Sequence, residues 1–329
     1  MSDLAERTIR WGLSSTGRMA DWFAKDFEFV DGGEIVAVAS RDQARAESFA
    51  WQHKIERAHA SFGDLLADEQ VDVVYICSPH ACHHDQVAAA LEAGKAVVCE
   101  KPLTVDAHQC RSLIETSVRT RGYLLEAMWT YFLPAIQRAR RWVDAGRIGA
   151  VRHVQADFGY PQVYQAKQRE YDAELGGGAL LEMGVYPVAL ARLFLPRTPE
   201  RIQVSCRRAP NGVEDDLVTI LDYAEDGEHP EAVARLATSF RCKLRNWAYI
   251  IGERGYIAIP DFWRAGECSL YELDTRVDHF TDRRRSQGFC FEAEAAQHDI
   301  RAGRRQSDVV PLATSLEIQE LMAQIRELA

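Results

Sequence analysis

No stretch of this sequence approaches the roughly 20 apolar residues that a membrane-spanning helix requires. The polar, charged stretch Met1–Arg10 has no apolar run that could serve as a signal peptide. These two absences argue against a membrane or export role and lead to a cytoplasmic expectation. The eight cysteines in 329 residues are scattered, at 77, 82, 99, 110, 206, 242, 268 and 290, and none forms a C-x-x-C pair. A disulfide framework is excluded for a chain of this size. In runs such as Val97-Val98-Cys99 the thiol reads as a small hydrophobe in a reducing compartment. Positive charge is also short, with 39 Lys and Arg against 49 Asp and Glu, a net of −10. That balance repels a phosphate backbone and argues against nucleic-acid binding as the main task. The clusters Arg138/Arg140/Arg141, Arg283–Arg285 and Arg304/Arg305 read as solvated faces or helix ends. No H-E-x-x-H occurs. His80, Cys82, His83 and His84 are neighbours in a short loop that rarely all face one ion, so no metal site is expected. Internal repeats, low-complexity segments and long linkers are missing too.

What remains is an ordinary globular composition, 47% hydrophobic and 27% charged, at a length that calls for two domains. The first third alternates strands with helices. Strands are read at Ile9–Ser14, Glu34–Ser40, Val71–Cys77 and Ala96–Glu100. Helices are read at Met19–Phe27, about Asp42–His53 and His84–Ala93, the last closed by Gly94. This is the pattern of right-handed βαβ units, hence a doubly wound parallel sheet covered on both faces. After about Leu125 the rhythm changes. A helix near Pro134–Ala145 is followed by segments of period two at Val151–Phe158, Arg201–Arg208, Asp216–Tyr223, Val233–Cys242, Trp247–Gly252 and Gly255–Ile259. These predict a mostly antiparallel sheet with helices on one face. Late helices at about Gly288–Ala302 and Pro311–Leu328 close the chain. The expected domains are 1–125 and 126–329, an α/β domain followed by an α+β one.

Between the first strand and first helix stands Ser15-Thr16-Gly17-Arg18-Met19-Ala20. It matches the dinucleotide fingerprint G-x-G-x-x-G/A at its second and third positions, with Ser15 in place of the first glycine. Gly17 lets the backbone approach a pyrophosphate, and the helix behind it offers free N–H groups to the anion. The second strand ends Ala39-Ser40-Arg41-Asp42, where an NAD enzyme usually carries an acid for the ribose hydroxyl. Ser40 and Arg41 suit a 2′-phosphate instead, so NADP is favoured over NAD, with Asp42 read as the cap of the next helix.

Cys99-Glu100-Lys101-Pro102 falls at the carboxyl end of a parallel strand, the edge where open α/β sheets bind ligands. Ser78-Pro79-His80-Ala81-Cys82-His83 follows another such strand. With the turn Ser15–Ala20, the Gly94-Lys95 that leads into Glu100-Lys101-Pro102, the segments Glu126-Ala127-Met128-Trp129 and Phe132-Leu133-Pro134, and the run Gly176-Gly177-Gly178-Ala179-Leu180-Leu181-Glu182-Met183-Gly184-Val185-Tyr186-Pro187, the sequence resembles the glucose–fructose oxidoreductase / inositol dehydrogenase (Gfo/Idh/MocA) family. The resemblance covers essentially the whole chain, and the pattern looks most like its dihydrodiol dehydrogenase and xylose dehydrogenase-like members. It implies a Rossmann domain, an open-faced sheet that often forms a dimer interface, and a catalytic lysine, here Lys101. An acid followed four positions later by His or Tyr corresponds to Glu182 and Tyr186. Cofactor contacts are implied at Ser15, Thr16, Gly17, Arg18, Met19, Ser40, Arg41, Ser78, Pro79, His83, Glu100 and Lys101. Glu182 stands where relatives usually carry Asp, and the extra methylene moves the carboxylate by about an ångström.

The expected reaction is hydride transfer between NADP and a CH–OH or C=O carbon of a sugar, polyol or cyclic trans-diol. Tyr186 exchanges the hydroxyl proton, Lys101 favours its phenolate and hydrogen-bonds the substrate oxygen, and Glu182 orients the hydroxyl. Trp129, Tyr131, Phe132, Tyr160 and Tyr164 are candidate aromatic walls, a role that core packing also explains. Pro187 is expected to kink or restart the helix after Tyr186, and the preceding glycines to form a flexible entrance. The partners expected are a small-molecule substrate and a second copy of the chain. Rival readings are an NADP-binding regulatory protein without chemistry, a redox-neutral glycosidase-like or epimerase-like enzyme with tightly bound NAD, and a metal-dependent hydrolase.

Overall fold

The computed structural model describes residues 7–329, so Met1–Glu6 of the polar N-terminal stretch lie outside the described residues. The chain divides into two units: one runs to Trp129 and takes back Arg285–Leu316, the other holds Thr130–Arg284 and Glu317–Ala329. The sequence reading placed the boundary at 125 and gave everything beyond it to the second domain. The difference lies in 285–316, which has no strand rhythm of its own and packs where its apolar side chains find partners.

The first unit follows the order β1 (Ile9–Leu13), α1 (Arg18–Asp26), β2 (Gly33–Ala39), α2 (Gln43–His53), β3 (Arg57–His59), α3 (Phe62–Ala67), β4 (Val73–Ile76), α4 (His83–Glu92), β5 (Ala96–Glu100), α5 (Ala107–Thr120) and β6 (Leu124–Ala127). Its six strands are parallel, in the order β3-β2-β1-β4-β5-β6, and the order reverses between β1 and β4. β4 is Val-Val-Tyr-Ile, buried at every position, as a central parallel strand covered on both faces must be. Trp11, Phe23 and Tyr75 form an aromatic core, with Phe23 stacked on Tyr75 at 3.8 Å. The strands β3 and β6 and the helices α3 and α5 were not read from the sequence. Asp26 is buried and accepts the N–H groups of Gln287, Gly288 and Cys290, so the start of the later helix Phe289–Arg301 is capped by a carboxylate from α1.

The second unit holds α6 (Pro134–Asp144), β7 (Val151–Gly159), α7 (Val185–Phe194), β8 (Arg201–Arg208), β9 (Glu214–Tyr223), β10 (Ala232–Ser239), β11 (Ala248–Gly252), β12 (Tyr256–Ile259), β13 (Glu267–Glu272) and β14 (Thr275–Thr281). The eight strands run β14-β13-β12-β11-β7-β10-β9-β8, and β7 with β10 is the parallel pair. α7 packs on β7 and β10, and α6 on β12, β13 and β14. Strands β13 and β14 were missed by the sequence reading. The chain ends with α8 (Phe289–Arg301) and α9 (Leu312–Leu328).

Three expectations about the segment before α7 are corrected. The 22-residue helical run Ala173–Phe194 is long and apolar enough to cross a membrane by length and composition, contrary to the sequence reading, and 78% of its apolar window is buried inside the fold. Pro187 neither kinks nor restarts a helix beyond Tyr186: it sits on the third residue of α7, directly after a π-helical turn, Leu180–Gly184. The wider turn accommodates a residue that lacks an N–H and whose ring would meet the carbonyl four residues back in an α-helix. The glycines are not a flexible entrance. A Cβ on Gly177 would lie 2.8 Å from the Asp172 backbone, and one on Gly178, at φ +128°, would lie 2.6 Å from the Glu214 carboxylate. They are glycines because other groups press against them.

Candidate active site

In the first unit the candidate residues gather at the carboxyl ends of the parallel strands. α2, α3 and α5 are capped by the side chains of Asp42, Ser61 and Asp106. α1, like α4, has no side-chain cap: its cap is Gly17, and a Cβ there would meet only the Ser15 hydroxyl at 3.6 Å. No side chain caps the first N–H groups of α1, which is compatible with a pyrophosphate in that place. Ser15 replaces the fingerprint glycine without filling that space. Its hydroxyl donates to the Cys77 carbonyl at 3.2 Å and accepts the Gly17 N–H at 3.3 Å, tying the turn to the end of β4. Burial pushes the Cys77 thiol up to about 12, which leaves it inert near neutrality.

At the end of β2 the Ser40 hydroxyl accepts the Asp42 N–H, Arg41 is exposed, and Asp42 spends its carboxylate on the α2 cap. Arg18 and Met19 open α1, with the Arg18 guanidinium 5.4 Å from the Trp22 ring, and Thr16 is half-buried beside them.

Ser78 donates its hydroxyl to Gln86 at 2.8 Å, and Pro79 precedes the short 3-10 turn His80–Cys82. His83, read as a cofactor contact, has no exposed surface. Its Nδ1 lies 2.9 Å from the Pro102 carbonyl and its Nε2 3.0 Å from the Ser78 carbonyl, so both ring nitrogens face backbone. Glu100 is buried and accepts the Tyr75 hydroxyl. Lys101 follows it, 9% exposed, and its bond to Pro102 is cis. Glu126 and Glu292 are buried in this unit as well. Glu126 accepts the Leu103 N–H at 2.9 Å. Burial pushes its carboxyl upward against the opposing influence of the Ser315 hydroxyl, the Leu103 N–H and the Lys101 charge. Glu292 on α8 is fully buried with neither carboxylate oxygen hydrogen-bonded, and burial, then the charges of Glu100 and Asp26, push it well above the usual range. Trp129 stacks on Phe289 at 4.6 Å in the same unit.

In the second unit Glu182 lies in the π turn and Tyr186 is the second residue of α7. Arg169, in the segment between β7 and that turn, donates Nη2 to Glu182 Oε1 at 2.5 Å. The longer acid is therefore fixed by a charge-assisted bond that a one-carbon-shorter side chain would not reach in the same pose. Tyr186 is 6% exposed and meets two rings edge-on: Phe158 at 5.4 Å and 85°, Trp263 at 6.1 Å and 62°. Those two rings stack on each other at 4.9 Å. Thr130 anchors the Trp263 carbonyl, and Asn246 accepts the Gly159 N–H beside Phe158. Sequence reasoning missed Arg169, Phe158 and Trp263. Phe158 stood at the end of a predicted strand, and Trp263 lay in a stretch with no assigned element.

The other aromatic candidates scatter. Tyr131 is a core residue: it is 1% exposed and its hydroxyl donates to the Ala189 carbonyl at 2.6 Å. Phe132 is buried. Tyr160 meets Phe158 at 5.9 Å and carries the Lys243 ammonium 4.7 Å from its ring, and Tyr164 packs edge-on against Tyr171. Among the described residues no three His, Cys, Asp or Glu side chains form a set able to hold a metal ion.

Residues 9–126 match an oxidoreductase family with an NAD-binding Rossmann fold, and residues 136–258 match the GFO/IDH/MocA C-terminal domain. The chain is 32% identical over 327 residues to a trans-1,2-dihydrobenzene-1,2-diol dehydrogenase of Xenopus laevis, covering 97% of each. It is 31% identical to that of Homo sapiens, covering 97% of this chain and 96% of the other. Among solved structures, an aldose-aldose oxidoreductase from Caulobacter crescentus shares the fold with a TM-score of 0.89 at 20% identity, over 98% of both chains. A 3-ketoreductase from Actinomadura kijaniata, in complex with NADP and TDP-benzene, gives 0.85 at 25% identity, again over 98% of both. Both halves of the chain thus carry the signature and relatives above 30% identity extend along nearly all of it: the chain belongs to the Gfo/Idh/MocA family and is an NAD(P)-binding oxidoreductase acting on CH–OH groups.

Proposed function

We propose that the protein is an NADP-dependent dehydrogenase of cyclic trans-diols or aldoses, with Tyr186 as proton carrier and Lys101 and Glu182 as its assistants. The observation that carries this reading is Tyr186 itself. A phenol held edge-on by Phe158 and Trp263, one turn after a carboxylate fixed by Arg169, is pre-organised to exchange a proton with a hydroxyl lying against aromatic walls. NADP, when bound, accepts or returns the hydride. Tyr186 takes the hydroxyl proton on oxidation and gives it back on reduction. Lys101 is assigned to the substrate oxygen, to which its ammonium would donate a hydrogen bond. Glu182 accepts from the reacting hydroxyl or its neighbour, which suits a vicinal diol or a sugar, and the names of the relatives support those two classes.

The preference for NADP is supported by Ser40 and the exposed Arg41 at the end of β2, with Asp42 engaged as a cap. A homodimer through the open face of the second unit's sheet is supported by the row Tyr249, Tyr256 and Tyr271. The alternate residues Ile250, Ile257 and Leu270 are fully buried, so the tyrosines lie on the opposite face, and Tyr256 stacks on Tyr271 at 4.7 Å. Eight free cysteines suit a reducing, cytosolic setting.

The test is absorbance at the reduced-nicotinamide band, with NADP or NAD and a panel of pentoses, hexoses, inositols and cyclic trans-diols. Turnover with NADP, abolished in Lys101→Ala, is the expected result. Tight NADP binding with silence across the panel would overturn the dehydrogenase reading in favour of a regulatory or redox-neutral protein.

A further inference from the structure

The chain that leaves β5 is gripped at one peptide group. In the peptide joining Pro102 to Leu103, the carbonyl oxygen lies 2.9 Å from His83 Nδ1 and the N–H donates to Glu126 Oε1 at 2.9 Å. The bond is trans, so its C=O and N–H point to opposite sides and the two side chains hold it from both. His83 opens α4 and Glu126 lies in β6; both are fully buried, as is Leu103. The proline ring already fixes its own φ, so the orientation of this peptide plane is the remaining soft rotation next to Lys101-Pro102. Turning it would leave two buried polar side chains without their partners, at a cost that buried groups do not tolerate.

The far side of His83 is tethered as well. Its Nε2 lies 3.0 Å from the Ser78 carbonyl, just beyond β4. Carbonyl oxygens only accept and a neutral imidazole carries one N–H, so the ring donates to one of the two carbonyls while its other nitrogen rests against the second. The imidazole thus ties the loop after β4 to the loop after β5, the two that flank the carboxyl edge of the sheet. A buried histidine and a buried glutamate on one peptide is more than packing requires, since two apolar side chains would fill the same space.

We infer that His83 and Glu126 are positioning residues for Lys101: by holding the two ends of the Pro102–Leu103 peptide they fix where the lysine stands at the edge of β5. This rests on the reading of Lys101 as a participant in the chemistry. Neither residue touches substrate or cofactor in this account, and both act through the backbone. The effect is on the placement of the ammonium, for which a shift of about 1 Å corresponds to roughly 10²-fold in rate.

The experiment uses two pairs of variants in the full chain. His83→Asn places its amide nitrogen near the position of Nδ1 and can still reach the Pro102 carbonyl. His83→Gln places it near Nε2 and reaches only Ser78. Glu126→Gln keeps an oxygen for the Leu103 N–H, and Glu126→Leu removes it. Lysines are reductively methylated with 13C-formaldehyde, the Lys101 signal is assigned with Lys101→Arg, and hydrogen exchange of the Leu103 amide is followed alongside. Turnover is measured with NADP and whichever panel substrate the unaltered protein oxidises. His83→Gln and Glu126→Leu should shift the Lys101 signal, speed Leu103 exchange at least tenfold and lower kcat about 10²-fold, with the KM for NADP changed less than threefold. His83→Asn and Glu126→Gln should recover most of the rate and the signal position. If Glu126→Leu does not fold, the two His83 variants decide. A Lys101 signal and a kcat that stay within threefold in His83→Gln, or that respond equally to His83→Asn and His83→Gln, overturn the inference. Full turnover in Lys101→Ala would instead bring down the reading of Lys101, a separate outcome.

Discussion

Replacing Tyr186 by phenylalanine removes one oxygen and leaves the ring. The ring is what the structure holds: 6% exposed, edge-on to Phe158 at 5.4 Å and to Trp263 at 6.1 Å. Each such aromatic pair contributes about 0.5–1.5 kcal/mol beyond burial, and both survive the change. Loss of the hydroxyl should therefore cost stability no more than about 1 kcal/mol, the net value of an ordinary hydrogen bond. Tyr186→Ala, by contrast, would open a cavity worth roughly 3–5 kcal/mol and confound chemistry with folding. Proton exchange by a positioned side chain contributes about 10²–10⁴-fold, or roughly 2.7–5.5 kcal/mol of barrier. Tyr186→Phe should thus lower kcat by at least about 100-fold, with the unfolding midpoint moved by only a few degrees. The assay is initial rate of NADPH formation against pH, beside thermal unfolding of the same preparation. The residual rate of the variant should lack whatever pH dependence the phenol gives the parent. A variant that keeps its midpoint and turns over within threefold of the parent would refute the assignment of the phenol as proton carrier.

Four other outcomes follow from the geometry. Glu182→Asp shortens the side chain that meets Arg169 at 2.5 Å; kcat should fall by roughly 10²-fold, while thermal unfolding shifts little because the pair is partly solvated. Arg41→Ala should weaken NADP binding about 10- to 100-fold, the loss of one charge-assisted contact, and leave NAD binding unchanged; equal losses for both, by fluorescence titration, would contradict the 2′-phosphate role. Glu292 binds its proton more tightly folded than unfolded, so the stability it contributes is present below the ordinary carboxylate range and is lost as pH rises through its raised value. Glu292→Gln should accordingly be more stable than the parent at pH 9, with the gap closing towards pH 4, and a gap independent of pH would contradict this. Tyr256→Glu, on the open sheet face, should convert a dimer to a monomer in sedimentation velocity if that face is the interface.

Much of the architecture is readable along the chain because it is encoded locally. A run such as Val73–Ile76, short, β-branched and apolar at every position, suits a strand covered on both faces, and the alternation in Val151–Phe158 suits one covered on one. Turn chemistry is local in the same way: Gly17 before α1, Asp42 before α2 and Gly94 after α4 stand where their backbone or cap roles require. The three residues of β3 carry too little period to register, while the hairpin of β13 and β14 and the 14-residue α5 were missed although they are longer. The segment 285–316 was assigned to the wrong half because sequence order says nothing of which core a helix joins.

Resemblance to the family singled out Lys101, Glu182 and Tyr186, while the sequence by itself determined the Rossmann-type order of strands and helices and the open-faced second sheet. It could do so because those are relations within a few residues, set by helical and strand periods and by the special backbones of glycine and proline. Tertiary structure decided who those side chains meet. Arg169 reaches Glu182 across a loop, Phe158 and Trp263 converge on Tyr186 from strands and turns far apart in the chain, and His83 and Glu126 meet on one peptide from either side of it. Such contacts follow from burial, which obliges every polar group removed from water to find a partner wherever the packed chain supplies one, and no local pattern records which partner that is.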